Sequence, residues 1–193
     1  MENTSFGKRF MGKWSTAAIV SVGVGAALFG VLMNYAAFPV FTNTYVSLCM
    51  IIPVFIGALY GPVPAFVTML VGNIVADTLG GWGYWFDWSV GNGVLGLFIG
   101  ALPLYGARIT EGIFKTKHMI IYTVCCIVGN VVAFGIVTPI MTSLFYAADL
   151  EITLIQAAAS AIANSIVLVI IGIPVLILLT NRFKTRSNLI EED

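Results

Sequence analysis

The chain has 193 residues, 59% of them hydrophobic and only 9% charged, with nine basic residues balancing nine acidic ones. A soluble domain of this length carries about a quarter charged residues, and a mean hydropathy of +0.99 excludes one here. The composition predicts an all-α integral membrane protein formed as a single membrane domain over 1–193.

In chain order, a short basic segment with Lys8, Arg9 and Lys13 precedes the first apolar run, 16–37. It has the look of a signal peptide, but the run exceeds the usual length of such a segment and further spans follow, so we expect it to be retained. Within it Ala18, Ser21, Gly25, Ala26 and Gly30 place small residues at helical spacing, which permits close approach of another helix. That helix can belong to a partner or to the same bundle. A loop at 38–44 then leads to run 45–60, and "GPVP" at 61–64 joins it to run 64–79. Both are short for a spanning helix, which needs about 20 apolar residues. They read either as a re-entrant hairpin or as two spans, and we count two.

Next comes "GGWGYWFDWSVGNG", residues 80–93, which gathers Trp82, Tyr84, Trp85, Phe86 and Trp88 around Asp87. An aromatic belt at headgroup level accounts for one or two rings. It does not account for the glycines or the acid, whereas aromatic faces with a few polar groups suit a pocket for a flat, partly polar molecule. Run 89–106 follows. A linker with Arg108, Lys115 and Lys117 then leads through His118, expected at the interface, to run 119–147, which is long enough to tilt or to break at Pro139. The last run, 152–180, ends at Arg182, Lys184 and Arg186.

Six spans would place all three basic segments on one side, and the positive-inside rule makes that side cytoplasmic, with both termini. The opposite face holds Asp149, Glu151 and the aromatic loop and no Lys or Arg. Polar residues inside spans are costly in lipid and by default face the bundle interior. Asn73 and Asp77 are four apart, hence on one helix face. Asn92 and Asn34 also lie toward the outer ends of their spans, beside the aromatic loop, while Asn130 and Asn164 lie deeper and suit helix-to-helix hydrogen bonds. Cys49, Cys125 and Cys126 read as small hydrophobes. No metal, catalytic or cofactor constellation is expected, and no nucleic-acid partner.

Several stretches carry a resemblance: "VGVGAALFGVL" in the first run, "NTYVSL" after the first outer loop, "GALYGPVPAFVTMLVGNIVADTLGGWGYWFDWSVGNGVLGLFIG", and "GIVTPI" in the fifth run. Together they resemble the substrate-binding S components of energy-coupling-factor (ECF) transporters, in a branch long labelled an uncharacterised protein family. Where that family carries a histidine and a lysine in span three, this chain has Asn73 and Ala76, so no relative's substrate transfers directly. The resemblance implies capture of a vitamin or related micronutrient outside the plasma membrane, with docking on a membrane T component carried by two ATP-binding subunits. The chain has no GxxxxGK[ST] loop, so ATP hydrolysis is expected on those partners. A stand-alone transporter or facilitator is the alternative.

Expected substrate-site residues are Asn34, Asn43, Tyr45, Asn73, Asp77, Trp82, Tyr84, Trp85, Asp87, Trp88 and Asn92. The resemblance assigns the small face of the first span, Ala18, Ser21, Gly25, Ala26 and Gly30, to partner docking. With acids and no cation in the outer half, a neutral or cationic ring-bearing ligand is expected, and a cobalamin-type molecule is the first candidate.

Overall fold

The computed structural model describes residues 6–41, 44–146 and 148–191. A short helix α1 (Phe6–Met11) precedes α2 (Thr16–Tyr35). Ser15 caps α2, its hydroxyl accepting from Ala18 N–H at 3.2 Å. The 20 residues of α2 rise about 30 Å, the thickness of a bilayer's hydrocarbon core.

The stretch expected as a plain outer loop forms an antiparallel hairpin, β1 (Ala37–Phe41) with β2 (Thr44–Ser47), pairing Ala37 with Ser47 and Phe38 with Val46. Its Phe, Val and Tyr residues favour extended backbone. The second strand takes the residues at which the next apolar run was expected to begin. The helical part is therefore Leu48–Tyr60, a 3-10 turn running into α3 (Ile51–Tyr60).

Gly61, at φ 103°, turns the chain where a side chain would be strained, and Pro62 opens α4 (Pro62–Gly80) at a position that needs no N–H. Helix α5 (Phe86–Ile99) starts three residues earlier than the sequence suggests. A run of 3-10 turns then leads to α6 (Thr116–Asn130) and α7 (Thr138–Tyr146), and finally to α8 (Leu150–Val167) and α9 (Ile173–Glu191).

Two π-helical segments interrupt the longest spans, Val131–Val137 between α6 and α7 and Leu168–Gly172 between α8 and α9. Each lies just before a proline, Pro139 and Pro174. A proline ring clashes with the carbonyl four residues back and offers it no N–H, and the wider π turn absorbs both defects without breaking the span. The span thus stays continuous at Pro139.

Among the described residues, five helices are long and apolar enough to cross a membrane, and Leu48–Tyr60 is a shorter apolar helix. Phe29, Met69, Leu95, Ile99, Tyr122, Phe134 and Leu176 fill the interior. Ile19, Val20, Val24 and Leu28 on α2, with Ile120, Ile140 and Ile170 elsewhere, turn outward as lipid-facing residues do.

The small face of α2 is occupied by the chain itself. Ala18, Gly25, Ala26 and Gly30 are buried. A methyl group added at Gly25 would lie 3.2 Å from Thr68 and 3.3 Å from Ile52, and one at Gly30 would lie 2.6 Å from Val75. Ser21 Oγ hydrogen-bonds Tyr60 OH at 3.0 Å. The face expected to dock a partner thus packs α2 onto α3 and α4, since a stripe of small residues suits a neighbour within the bundle as well as one outside it.

The three basic segments meet at one end. Gly12 sits against Tyr60 and Pro64, Gly100 against Gly61 and Pro62, and Gly112 against Lys184. The hairpin, the aromatic loop and the start of α8 stand at the other end. His118, expected at the interface, is buried at 2% exposure. Its Nδ1 accepts Lys115 N–H at 3.1 Å, satisfying a donor at the start of α6.

Candidate substrate cavity

The end remote from the basic residues contains a cavity of about 520 Å³. Helix α4 contributes Asn73 and Asp77, and the loop and start of α5 contribute Trp82, Trp85, Trp88 and Asn92. These lining residues were all singled out in the sequence. They converge because α4 and α5 pack tightly: a methyl group at Gly96 would lie 2.7 Å from the Ala65 carbonyl oxygen, so only glycine permits this crossing.

The polar wall is a connected network. Asn92 Nδ2 donates to Asn73 Oδ1 at 3.0 Å and to the Trp88 carbonyl at 3.0 Å. Asn73 Nδ2 donates to Asp77 Oδ2 at 3.3 Å and to Ser89 Oγ at 3.1 Å. Asp77 Oδ2 also accepts the Trp85 N–H at 3.0 Å, which ties the aromatic loop to α4. A buried carboxylate needs such donors to persist in an apolar surround.

A second anchor was not foreseen. Tyr146, at the end of α7, accepts Phe86 N–H at 2.8 Å and donates to the Tyr84 carbonyl at 3.2 Å, and its ring lies 4.9 Å from that of Trp85. The end of the loop at residues 84–86 is thus clamped from two sides, while Gly81 and Gly83 adopt positive φ just before it. Trp85 Nε1 donates to the Trp82 carbonyl at 3.1 Å.

The remaining expected residues go elsewhere. Asn34 is not part of the cavity wall; its Nδ2 bridges the Gly30 and Ala76 carbonyls at 3.0 Å each and joins α2 to α4. Asp87 is 0% exposed and accepts from the Thr142 hydroxyl, fastening α5 to α7 behind the wall. Tyr84 is 51% exposed; its carbonyl accepts from Tyr146 and its ring lies 6.3 Å from that of Phe86, outside the cavity wall. Tyr45 is placed on the second strand opposite Pro39; its side chain and the whole of Asn43 lie outside the described residues.

Sequence reasoning missed one whole wall. Helix α8 supplies Ile152, Thr153, Gln156, Ser160 and Asn164. Their polar members fall three, four and four apart, a helical stripe that was legible as such. Asn164 belongs to the cavity rather than to helix packing, whereas Asn130 donates to the Cys126 carbonyl of its own helix at 2.9 Å. The hairpin side adds Ser47, Cys49 and Met50, α2 adds Met33, and the π segment adds Phe134, whose ring lies 5.7 Å from that of Trp88. Asp149 stands at the rim and caps α8 through Glu151 N–H and Ile152 N–H. No Lys, Arg or His lines the cavity among the described residues.

Comparison with known proteins agrees with this architecture. The family described as "ECF-type riboflavin transporter, S component" matches residues 13–181. UPF0397 proteins of Aliivibrio salmonicida and of Aliivibrio fischeri strain MJ11 are each 32% identical over 179 residues, covering 92% of this chain and 97% of the relative. The crystal structure of FolT bound with folic acid superposes with a TM-score of 0.60 over 87% of this chain and 96% of that one, at 22% identity, a likeness of fold. The chain therefore belongs to the S components of ECF-type transporters, multi-pass membrane proteins that bind a transported substrate and are not enzymes.

Proposed function

We propose that this S component captures a ring-bearing micronutrient at the extracellular end of the bundle and passes it to an energising module. That module would comprise a membrane T component and two ATP-binding subunits, with ATP hydrolysis on the latter. Both termini then lie in the cytoplasm, since the end carrying the basic segments faces inward under the positive-inside rule. The observation that carries the reading is the cavity itself: three tryptophans and a set of side-chain amides surround about 520 Å³ at the end remote from those basic segments.

Two physical limits bound the ligand. Among the described residues the cavity holds Asp77 and Asp149 and no cation, so a ligand rich in carboxylates would be desolvated without a partner. The folic acid in the FolT structure carries such carboxylates, and its binding is not transferred here. The volume lies within the range of about 300 to 1,000 Å³ usual for drug-sized ligands. That favours a bicyclic or tricyclic ring over the cobalamin-type molecule that composition alone allowed, whose macrocycle and nucleotide loop need far more room. A neutral or cationic bicyclic or tricyclic ring meets both limits.

Native mass spectrometry of protein purified in mild detergent tests this. The expected result is a retained small molecule with an aromatic ring and no excess of carboxylates, lost in Trp85→Ala. Retention of a corrinoid or a polyanion, or a ligand held equally by Trp85→Ala, overturns the reading.

A further inference from the structure

The cavity's polar wall also specifies which groups the ligand must carry, an inference that rests on the binding-site reading above. The orientation of each amide in that wall is determined. The Trp88 carbonyl can only accept, so the Asn92 group 3.0 Å from it is the NH₂. The same NH₂ reaches Asn73 at 3.0 Å, which must present its oxygen there. Asn73 then turns its own NH₂ to Asp77 Oδ2 and Ser89 Oγ. Ser89 has one proton and gives it to the Trp85 carbonyl at 3.1 Å, so toward Asn73 it accepts. The Trp85 N–H closes the relay on Asp77.

Every side-chain donor of Asn73, Ser89 and Asn92 is thus engaged inside the wall, and the capacity left over is acceptor capacity. Asn92 is 2% exposed, lines the cavity, and its Oδ1 has no hydrogen-bond partner among the described residues. That oxygen has almost no accessible surface of its own, so the acceptor that the wall offers the cavity is the Asp77 carboxylate. Asp77 lines the cavity beside it, and a carboxylate accepts at more positions than the two contacts to Oδ2 occupy.

We propose that the ligand lies with an amino-bearing edge of a heteroaromatic or amidine-like ring against Asp77. The wall then rejects rings whose corresponding edge carries carbonyl oxygens, because acceptor would face acceptor in a desolvated site. Sites built around buried hydrogen bonds discriminate far more strongly than apolar pockets do.

The test is calorimetric titration of detergent-purified protein with matched ring pairs: 2,4-diaminopteridine against pteridine-2,4-dione, and 4-aminopyrimidine against pyrimidin-4-one. The amino member of each pair is expected to bind at least about tenfold tighter. In Asp77→Asn the new oxygen must still face Trp85 N–H and Asn73, so the new NH₂ faces the cavity, and the amino-to-carbonyl ratio is expected to fall at least about tenfold. A variant that is merely destabilised lowers both affinities and leaves that ratio unmoved. Carbonyl members binding as tightly as amino members to the unmodified protein, or an unchanged ratio in Asp77→Asn, overturns the donor-edge assignment alone. If no member of either pair binds, the cavity is not a ring-binding site, and both readings fall together.

Discussion

Trp85 and Asp87 are two residues apart and do different work. Trp85 lines the cavity, its ring tilted against that of Tyr146, so Trp85→Ala is expected to weaken ligand binding by about 1 to 3 kcal/mol while the bundle stays folded. Asp87 is buried behind the wall in the first turn of α5, where its charge suits the helix N-terminus. Asp87→Ala is therefore expected to lower the melting temperature of the ligand-free protein, at a cost of about 1 to 3 kcal/mol. Measuring affinity and melting temperature for both variants checks the division; an Asp87 variant that kept its stability but lost its ligand would reverse it.

At the scale of elements, the aromatic loop is an ordered wall because its end at residues 84–86 is fastened from two sides, by Asp77 of α4 and by Tyr146 of α7. Gly81 and Gly83 supply the positive-φ backbone that leads to it. Tyr146→Phe keeps the ring beside Trp85 and deletes both hydrogen bonds, each worth about 0.5 to 1.5 kcal/mol. The amide of Phe86 is expected to exchange hydrogen severalfold faster, with global stability little changed. Exchange at the same rate in both proteins would show that the ring contact alone holds the loop. The glycines and aromatics of this loop were visible in the sequence, but its second clamp lies 60 residues away. The prolines at 139 and 174 were visible too. That they are accommodated by π turns depends on the local backbone response, which no periodicity records.

For the whole molecule, the face of α2 that is rich in small residues decides how the bundle closes. Gly25→Leu places bulk against Thr68, Ile52 and Ile56, and overpacking costs typically about 1 to 3 kcal/mol. The isolated protein is expected to melt at a lower temperature and to bind ligand less well. A normal melting temperature combined with failure to retain a T component in a pull-down would instead return this face to partner docking. The outward face of α2, with Ile19, Val20, Val24 and Leu28 exposed, is open to lipid and to partner helices alike.

What the sequence determined by itself is whatever one helix or one composition can specify. The scarcity of charge put the chain in a membrane, the apolar runs located most of the helices, and Asn73 with Asp77 shared a face because four residues make about one helical turn. Tertiary structure decided the pairings. Asn34 and Asn92 are the same residue type in similar stretches, yet one bridges α2 to α4 and the other lines the cavity. The stripe on α8 became a wall, and that on α2 an internal seam. The physical reason is that an amphipathic or small-residue face states only that something must lie against it. Which helix, loop or ligand does so is fixed by how all the helices pack together.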